Sequence, residues 1–370
     1  MMRAWVVAAS LVATTACADI KEAPSPPPAA GVLEEDDGPA TTSAPGEKGS
    51  SKEVPRKSAP ASDVPGDEAG WTPLLVDRDT LGARAPGAPD RAWRGGLAAK
   101  DGRLYWLENG GAPGLYTAPA SCRAAGCVER IAGVNAGVFA ASRDVLYFDD
   151  VAARELKSYR FEEGAAITSV AGVSASGIDA VAVDGTDAIW INGSALKRTT
   201  AAGRTTVLAN LAVAPIDVGA TNGSVFWAER KGPTLSCFLD GNVGPSTCAS
   251  WKGELGAVRG YAGYMYIASS GGVYRRTTET LGKTVVVGTR GATDFAFDAT
   301  YAYWTEPGDA PDFANGRLRR VAHDGDTVEE IARGLPRPVA LAIDGGDVYV
   351  ACAGTKAKDW SDGAIVRVAR

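Results

Sequence analysis

The residues of this chain best suited to chemistry recur at intervals instead of clustering in one motif. Glu108, Asp150, Asn192, Glu229, Ser269, Glu306 and Cys352 each stand two positions after the last residue of an aliphatic–aromatic triplet. On a strand, a spacing of two puts each of them on the same face as that residue. If the triplets align, the seven side chains circle one mouth of a central channel, and four of them are carboxylates. Clustered carboxylates suit a hard cation such as Ca²⁺ or Mg²⁺, with Glu108, Glu229 and Glu306 as ligands. They would equally suit a cationic ligand. The competing reading is that each one hydrogen-bonds nearby backbone and has no ligand at all.

A second set lies on two long loops, Glu306–Gly316 and Gly354–Gly363. Phe313 and Trp360 are loop aromatics flanked by Asp309, Asp312 and Asp359. Loops on a rigid scaffold often carry function, and aromatic anchors mark binding surfaces. The ligand-binding set is therefore read as Glu108, Asp150, Asn192, Glu229, Glu306, Asp309, Asp312, Phe313, Asp359 and Trp360. Each loop could also be an ordinary insertion packed on itself.

No catalytic group is assigned. His323, the single histidine, falls in His323-Asp324-Gly325-Asp326 and reads as a surface turn residue. A lone histidine has no second one with which to form a dyad or metal pair. The sequence contains no nucleophile elbow, Walker loop, dinucleotide fingerprint or HExxH motif. Cys122 with Cys127, and Cys237 with Cys248, read as disulfides, each joining a third strand to an outer strand. Cys352 reads as a buried thiol.

The triplets themselves define the scaffold. Leu104-Tyr105-Trp106, Leu146-Tyr147-Phe148, Ala188-Ile189-Trp190, Val225-Phe226-Trp227, Met265-Tyr266-Ile267, Ala302-Tyr303-Trp304 and Val348-Tyr349-Val350 recur every 37 to 46 residues. That is the length of a four-stranded propeller blade. Asp101-Gly102, Asp184-Gly185, Asn222-Gly223 and Asp344-Gly345 precede the triplets as hairpin turns. The fold is read as all-β, a seven-bladed β-propeller with six blades as the alternative. The last unit ends after its third strand, so Thr72-Pro73-Leu74-Leu75-Val76 is expected to complete it.

Tyr303-Trp304-Thr305-Glu306, with Tyr105-Trp106-Leu107-Glu108 and Val225-Phe226-Trp227-Ala228-Glu229, resembles the YWTD-type propeller repeats. That resemblance implies a protein-binding module and no chemistry. It usually comes with six blades. A metal-dependent propeller lactonase or lyase is the alternative function.

Domain limits follow from composition. Residues 1–17 read as an export signal: Arg3 precedes a short apolar run, and Thr14-Thr15-Ala16-Cys17 resembles a bacterial lipobox with Cys17 as lipid anchor. Cleavage after Ala18 is the other possibility. Residues 18–70 hold nine of the 21 prolines and no Phe, Trp or Tyr, and read as a disordered acidic linker. Residues 71–370 form the folded domain. The chain has 38 Lys and Arg against 44 Asp and Glu, so no basic field for nucleic acid is present. The expected setting is the cell envelope, with a protein, peptide or polysaccharide as partner.

Overall fold

The computed structural model describes residues 70–78 and 96–370, apart from 109–111, 124, 163, 174–176, 214, 230–233, 239–245, 251–254, 279–284, 289–290 and 356–362. The expected signal, Cys17 and all but the last residue of the linker lie outside the described residues, as do Asp359 and Trp360. Among the described residues, no helix is long and apolar enough to cross a membrane.

Among the described residues the strands form seven four-stranded sheets, and the fold is an all-β propeller. A leading strand, β1, spans Thr72–Arg78. The first blade is β2 (Leu97–Lys100), β3 (Arg103–Glu108), β4 (Gly114–Pro119) and β5 (Glu129–Ala132). The second is β6 (Phe139–Ala141), β7 (Val145–Asp150), β8 (Glu155–Arg160) and β9 (Thr168–Gly172). The third is β10 (Ala180–Asp184), β11 (Asp187–Asn192), β12 (Ala195–Thr199) and β13 (Thr205–Asn210). The fourth is β14 (Pro215–Thr221), β15 (Ser224–Glu229), β16 (Thr234–Phe238) and β17 (Ser246–Ser250). The fifth is β18 (Leu255–Tyr261), β19 (Tyr264–Ser269), β20 (Gly272–Thr277) and β21 (Val285–Gly288). The sixth is β22 (Asp294–Phe297), β23 (Tyr301–Glu306), β24 (Gly316–Ala322) and β25 (Val328–Leu335). The seventh is β26 (Pro338–Asp344), β27 (Asp347–Cys352) and β28 (Gly363–Ala369), with β1 as its outer strand.

The first strands of neighbouring blades touch one another, so they are the innermost. The triplets occupy the second strands and supply the largest buried side chains: Trp106, Trp190, Trp304, Tyr147, Phe148 and Phe226. Together with their neighbours, the second-strand side chains fill seven apolar clusters, each shared by two consecutive blades. One cluster joins the seventh blade to the first: Leu74, Leu75, Tyr349 and Ile365 pack with Leu97, Trp106 and Tyr116. Thr72 pairs with Arg367, Leu75 with Ile365 and Arg78 with Gly363. The Trp71 indole donates to the Arg333 carbonyl at 2.9 Å, tying this entry to the sixth blade.

The turn pairs divide into two kinds. Asp101-Gly102 and Asn222-Gly223 have positive φ at both positions, as their hairpins require. Asp184 and Asp344 are instead the last paired residues of their strands, opposite Asp187 and Asp347. Their carboxylates reach the next blade, where Asp184 accepts from the Gly223 N–H at 3.0 Å and Asp344 from the Gly102 N–H at 2.6 Å. The aspartate that read as a turn former is a clasp between blades.

Cys122 and Cys127 form a disulfide. It lies within the connection after β4, where Cys127 ends a short 3-10 turn, and does not join strand to strand. Cys237 on β16 is disulfide-bonded, and the Cys248 side chain lies outside the described residues. Cys352 is a buried thiol.

Candidate functional site

The seven repeated positions occupy the ends of the second strands, where the connections to the third strands begin. Six of them are buried, and Glu229 is half-buried. The Trp106 indole N–H donates to Glu108 Oε1 at 2.7 Å, a clasp between residues two apart. The Trp304 indole makes a longer contact with Glu306 Oε1, 3.4 Å, and Arg319 Nε lies 3.2 Å from the same oxygen. Asp150 accepts from the Ala153 N–H at 3.0 Å and from Lys157 Nζ at 2.6 Å. Burial is the largest influence on the Asp150 carboxyl and works to raise it. Lys157 and the backbone N–H groups outweigh that and hold it below its ordinary value. Asn192 donates to the Gly177 carbonyl, and Ser269 Oγ accepts from the Gly271 N–H at 3.1 Å.

These contacts lie within each blade. Among the described residues, no group of three or more His, Cys, Asp or Glu side chains is placed to hold a metal ion. Glu108, Glu229 and Glu306 therefore do not come together as the sequence had suggested. The physical reason is that second strands are one layer removed from the axis. A side chain at their end meets the adjacent strand or blade before it can reach the other carboxylates.

The loop between β23 and β24 has a more distinctive geometry. Asp309 N–H donates to Asn315 Oδ1 at 2.7 Å, and Asn315 Nδ2 donates back to Asp309 Oδ2 at 2.8 Å. Phe313 N–H closes onto the Asp309 carbonyl at 2.9 Å. Phe313 and Arg337 both have φ of 55°, in the left-handed region that non-glycine residues rarely enter. The two are joined directly. Arg337 N–H donates to the Phe313 carbonyl at 2.9 Å, and the guanidinium lies 4.8 Å from the ring centroid. Burial lowers the Arg337 pKa from its ordinary value. The Ala353 N–H donates to the Arg337 carbonyl and the Gly354 N–H to the Pro336 carbonyl, so the start of the seventh blade's loop joins the same knot. Asp309, Ala310, Pro311 and Asp312 are exposed at its tip.

Two groupings escaped the sequence reading. On the inner strands, Arg259 bridges Asp217 at 2.7 Å and Asp294 at 2.9 Å, linking the fourth, fifth and sixth blades. Burial pushes the Asp294 carboxyl above the usual carboxylate range, against the pull of Arg259. The signal was present: charged residues interrupt first strands that are otherwise apolar or small. The second grouping surrounds His323, which is half-buried and not a free surface turn. Its Nε2 lies 2.8 Å from the Asp298 carbonyl and its Nδ1 2.6 Å from the Tyr266 hydroxyl. A carbonyl can only accept, so Nε2 donates to it, and in the neutral imidazole the Tyr266 hydroxyl donates to Nδ1. Tyr261 stacks on the imidazole at 5.1 Å. Burial raises the Tyr266 hydroxyl well above its ordinary pKa.

No protein-family model matches the chain, and no curated protein matches it. Solved structures do. A streptogramin B lyase structure is 13% identical, with 77% of this chain and 96% of that one covered, at a TM-score of 0.56. A virginiamycin B lyase from Staphylococcus aureus, described as a catalytically inactive histidine-to-alanine variant with quinupristin, is 13% identical over 78% and 98% at 0.55. YCF48 bound to D1 peptide is 12% identical over 85% and 100% at 0.54. At such identities the likeness establishes the propeller fold alone.

Proposed function

We propose that this chain is an exported, lipid-anchored propeller of the cell envelope. It captures a protein or peptide partner on the face formed by the loops of the sixth and seventh blades. The observation that carries the reading is the Phe313–Arg337 knot. Two non-glycine residues held in the left-handed region cost on the order of 1–3 kcal/mol each, and such outliers concentrate at ligand sites. Here they display an aromatic ring under a guanidinium, beside exposed Asp309 and Asp312. Asp359 and Trp360, outside the described residues, are assigned to the same partner in this proposal, and Cys17 supplies the anchor. YCF48, which shares the fold, is described as bound to a peptide.

The lyase reading has less support. The one histidine of this chain belongs to the opposite rim, at the turn after β24, with both ring nitrogens engaged. Calcium or magnesium remains the cofactor that the alternative would require.

The test uses the full chain expressed in its own envelope with a photo-crosslinking residue at Ala314. One defined adduct should form, and it should disappear in the Phe313→Ala/Arg337→Ala variant while the melting temperature holds. An adduct of equal yield in that variant would remove this face from the function. Cys17→Ser should move the protein out of the membrane fraction, and unchanged membrane association would overturn the anchor.

A further inference from the structure

A cleft of about 450 Å³ opens between the second and third blades, on the rim opposite the Phe313 knot. One wall is a face of the second blade. Tyr147 on β7, Ser158 on β8 and Thr168 on β9 stand in one cross-strand row. Arg160, opposite Val145, stands at the end of β8, and Glu162 follows beyond it. The facing wall is the turn after β12, made of Ala201, Ala202 and Gly203. No side chain there is larger than a methyl group, and the space remains open for that reason. The volume falls within the usual range of small-molecule sites, roughly 300–1,000 Å³.

The polar groups of this cleft differ from those of the repeated ring. No hydrogen bond or ion pair within the described part of the molecule engages the side chains of Ser158, Arg160, Glu162, Thr168 or Ser169. The Ser158 and Thr168 hydroxyls, one guanidinium and one carboxylate thus line one space with their bonding capacity unspent. Tyr147 is buried at 2% exposure with its hydroxyl committed to the Thr186 carbonyl at 2.7 Å, so it closes the floor of the cleft and leaves the binding to the polar groups around it.

We propose that this cleft binds a neutral saccharide. The two charges cancel, so an anion would meet Glu162 and a cation would meet Arg160. A polyol uses both, since a guanidinium donates to vicinal hydroxyl oxygens and a carboxylate accepts from their protons. Ser158 and Thr168 donate or accept as each sugar hydroxyl requires. An added peptide strand is the competing occupant. Val170 argues against it: Leu156 pairs with Ala171 and Lys157 with Ser169, so Val170 is an extra residue. A bulge of this kind kinks the outer edge and blocks strand addition. The saccharide site is separate from the partner face proposed above and stands or falls without it.

The probes are maltose, cellobiose and N,N′-diacetylchitobiose, each titrated into the full chain by calorimetry, with ligand-observed NMR in parallel. At least one should bind. Ala202→Trp fills the cleft and should weaken that binding about tenfold or more, a loss of about 1.4 kcal/mol or greater. Glu162→Gln alters one exposed side chain and should weaken it in the same direction with an unchanged melting temperature. The proposal is overturned if none of the three disaccharides binds, or if Ala202→Trp and Glu162→Gln both bind as the parent does. It is also overturned if binding responds to Phe313→Ala/Arg337→Ala instead.

Discussion

Replacing Leu74 and Leu75 together with alanine should strip the seventh blade of its outer strand. Both side chains are nearly inaccessible, at 3% and 4%, and both pack into the cluster shared with the first blade. A buried Leu→Ala change costs about 2–5 kcal/mol through lost transfer energy and the cavity left behind. Two adjacent sites in one cluster do not add fully, so about 4–7 kcal/mol is expected for the pair. A folded domain is typically stable by only about 5–15 kcal/mol, so this loss removes a large share of the total. Urea unfolding followed by tryptophan fluorescence reads it as a lowered midpoint. Val207→Ala, on the outer strand of the third blade and 53% exposed, is the control and should shift the midpoint little. Limited proteolysis should cut the double variant first near Gly70, because the released strand no longer pairs with Arg367, Val366 and Ile365. A double variant within about 1 kcal/mol of the parent would refute the reasoning, since that is the size of an ordinary surface change.

Arg259→Met should cost about 3–5 kcal/mol, because it leaves the Asp217 and Asp294 carboxylates buried without their shared cation. The Asp294 pKa is already raised by burial, and losing Arg259 raises it further. An acid whose folded pKa lies above its unfolded value is stabilised by protonation, so the thermal deficit of this variant should shrink on going from neutral to mildly acidic buffer. A deficit independent of pH would contradict that coupling. Asp298 has the opposite sign. Burial raises it, but the Tyr301 and Thr300 N–H groups, the Tyr303 hydroxyl and Arg370 together hold it below its ordinary value. Its contribution is present above the unfolded carboxyl value, about pH 4, and is lost as pH falls through the lower folded value. Asp298→Asn should therefore lower the melting temperature at neutral pH and flatten its acid limb below about pH 4, which a thermal scan across pH measures directly.

Much of the scaffold could be read from residue types. The triplets repeat because each second strand must fill the space between two blades, so Trp106, Trp190 and Trp304 recur at one structural position. Thr72 to Val76 was legible as the missing strand because the final unit stopped one strand short. The inter-blade clasps were not legible, since Asp184-Gly185 and Asn222-Gly223 look alike as dipeptides. Only the ladder shows that Asp184 ends a strand while Asn222 begins a turn. His323 was misjudged because a turn in sequence can still lie under aromatic rings contributed by another blade. Tyr261 and Tyr266 are more than fifty residues away in the chain.

The repeat also explains the contacts that the ring residues make. A position that recurs in every blade faces the same local problem in each, which here is the end of a strand that needs a hydrogen-bond partner. Evenly repeated geometry therefore gives repeated structural answers, such as the Trp106–Glu108 clasp and the Asp150–Lys157 pair. Recognition of one ligand requires the symmetry to be broken. The described residues break it in three places: the strained knot of Phe313 and Arg337, the charged bridge from Asp217 through Arg259 to Asp294, and the small-residue turn facing Ser158 and Thr168. The bridge is saturated, because one guanidinium already serves two carboxylates. The knot and the cleft keep groups that can still meet a partner, and they lie on opposite rims of the propeller. One molecule could then hold a saccharide on one side while it engages a protein on the other.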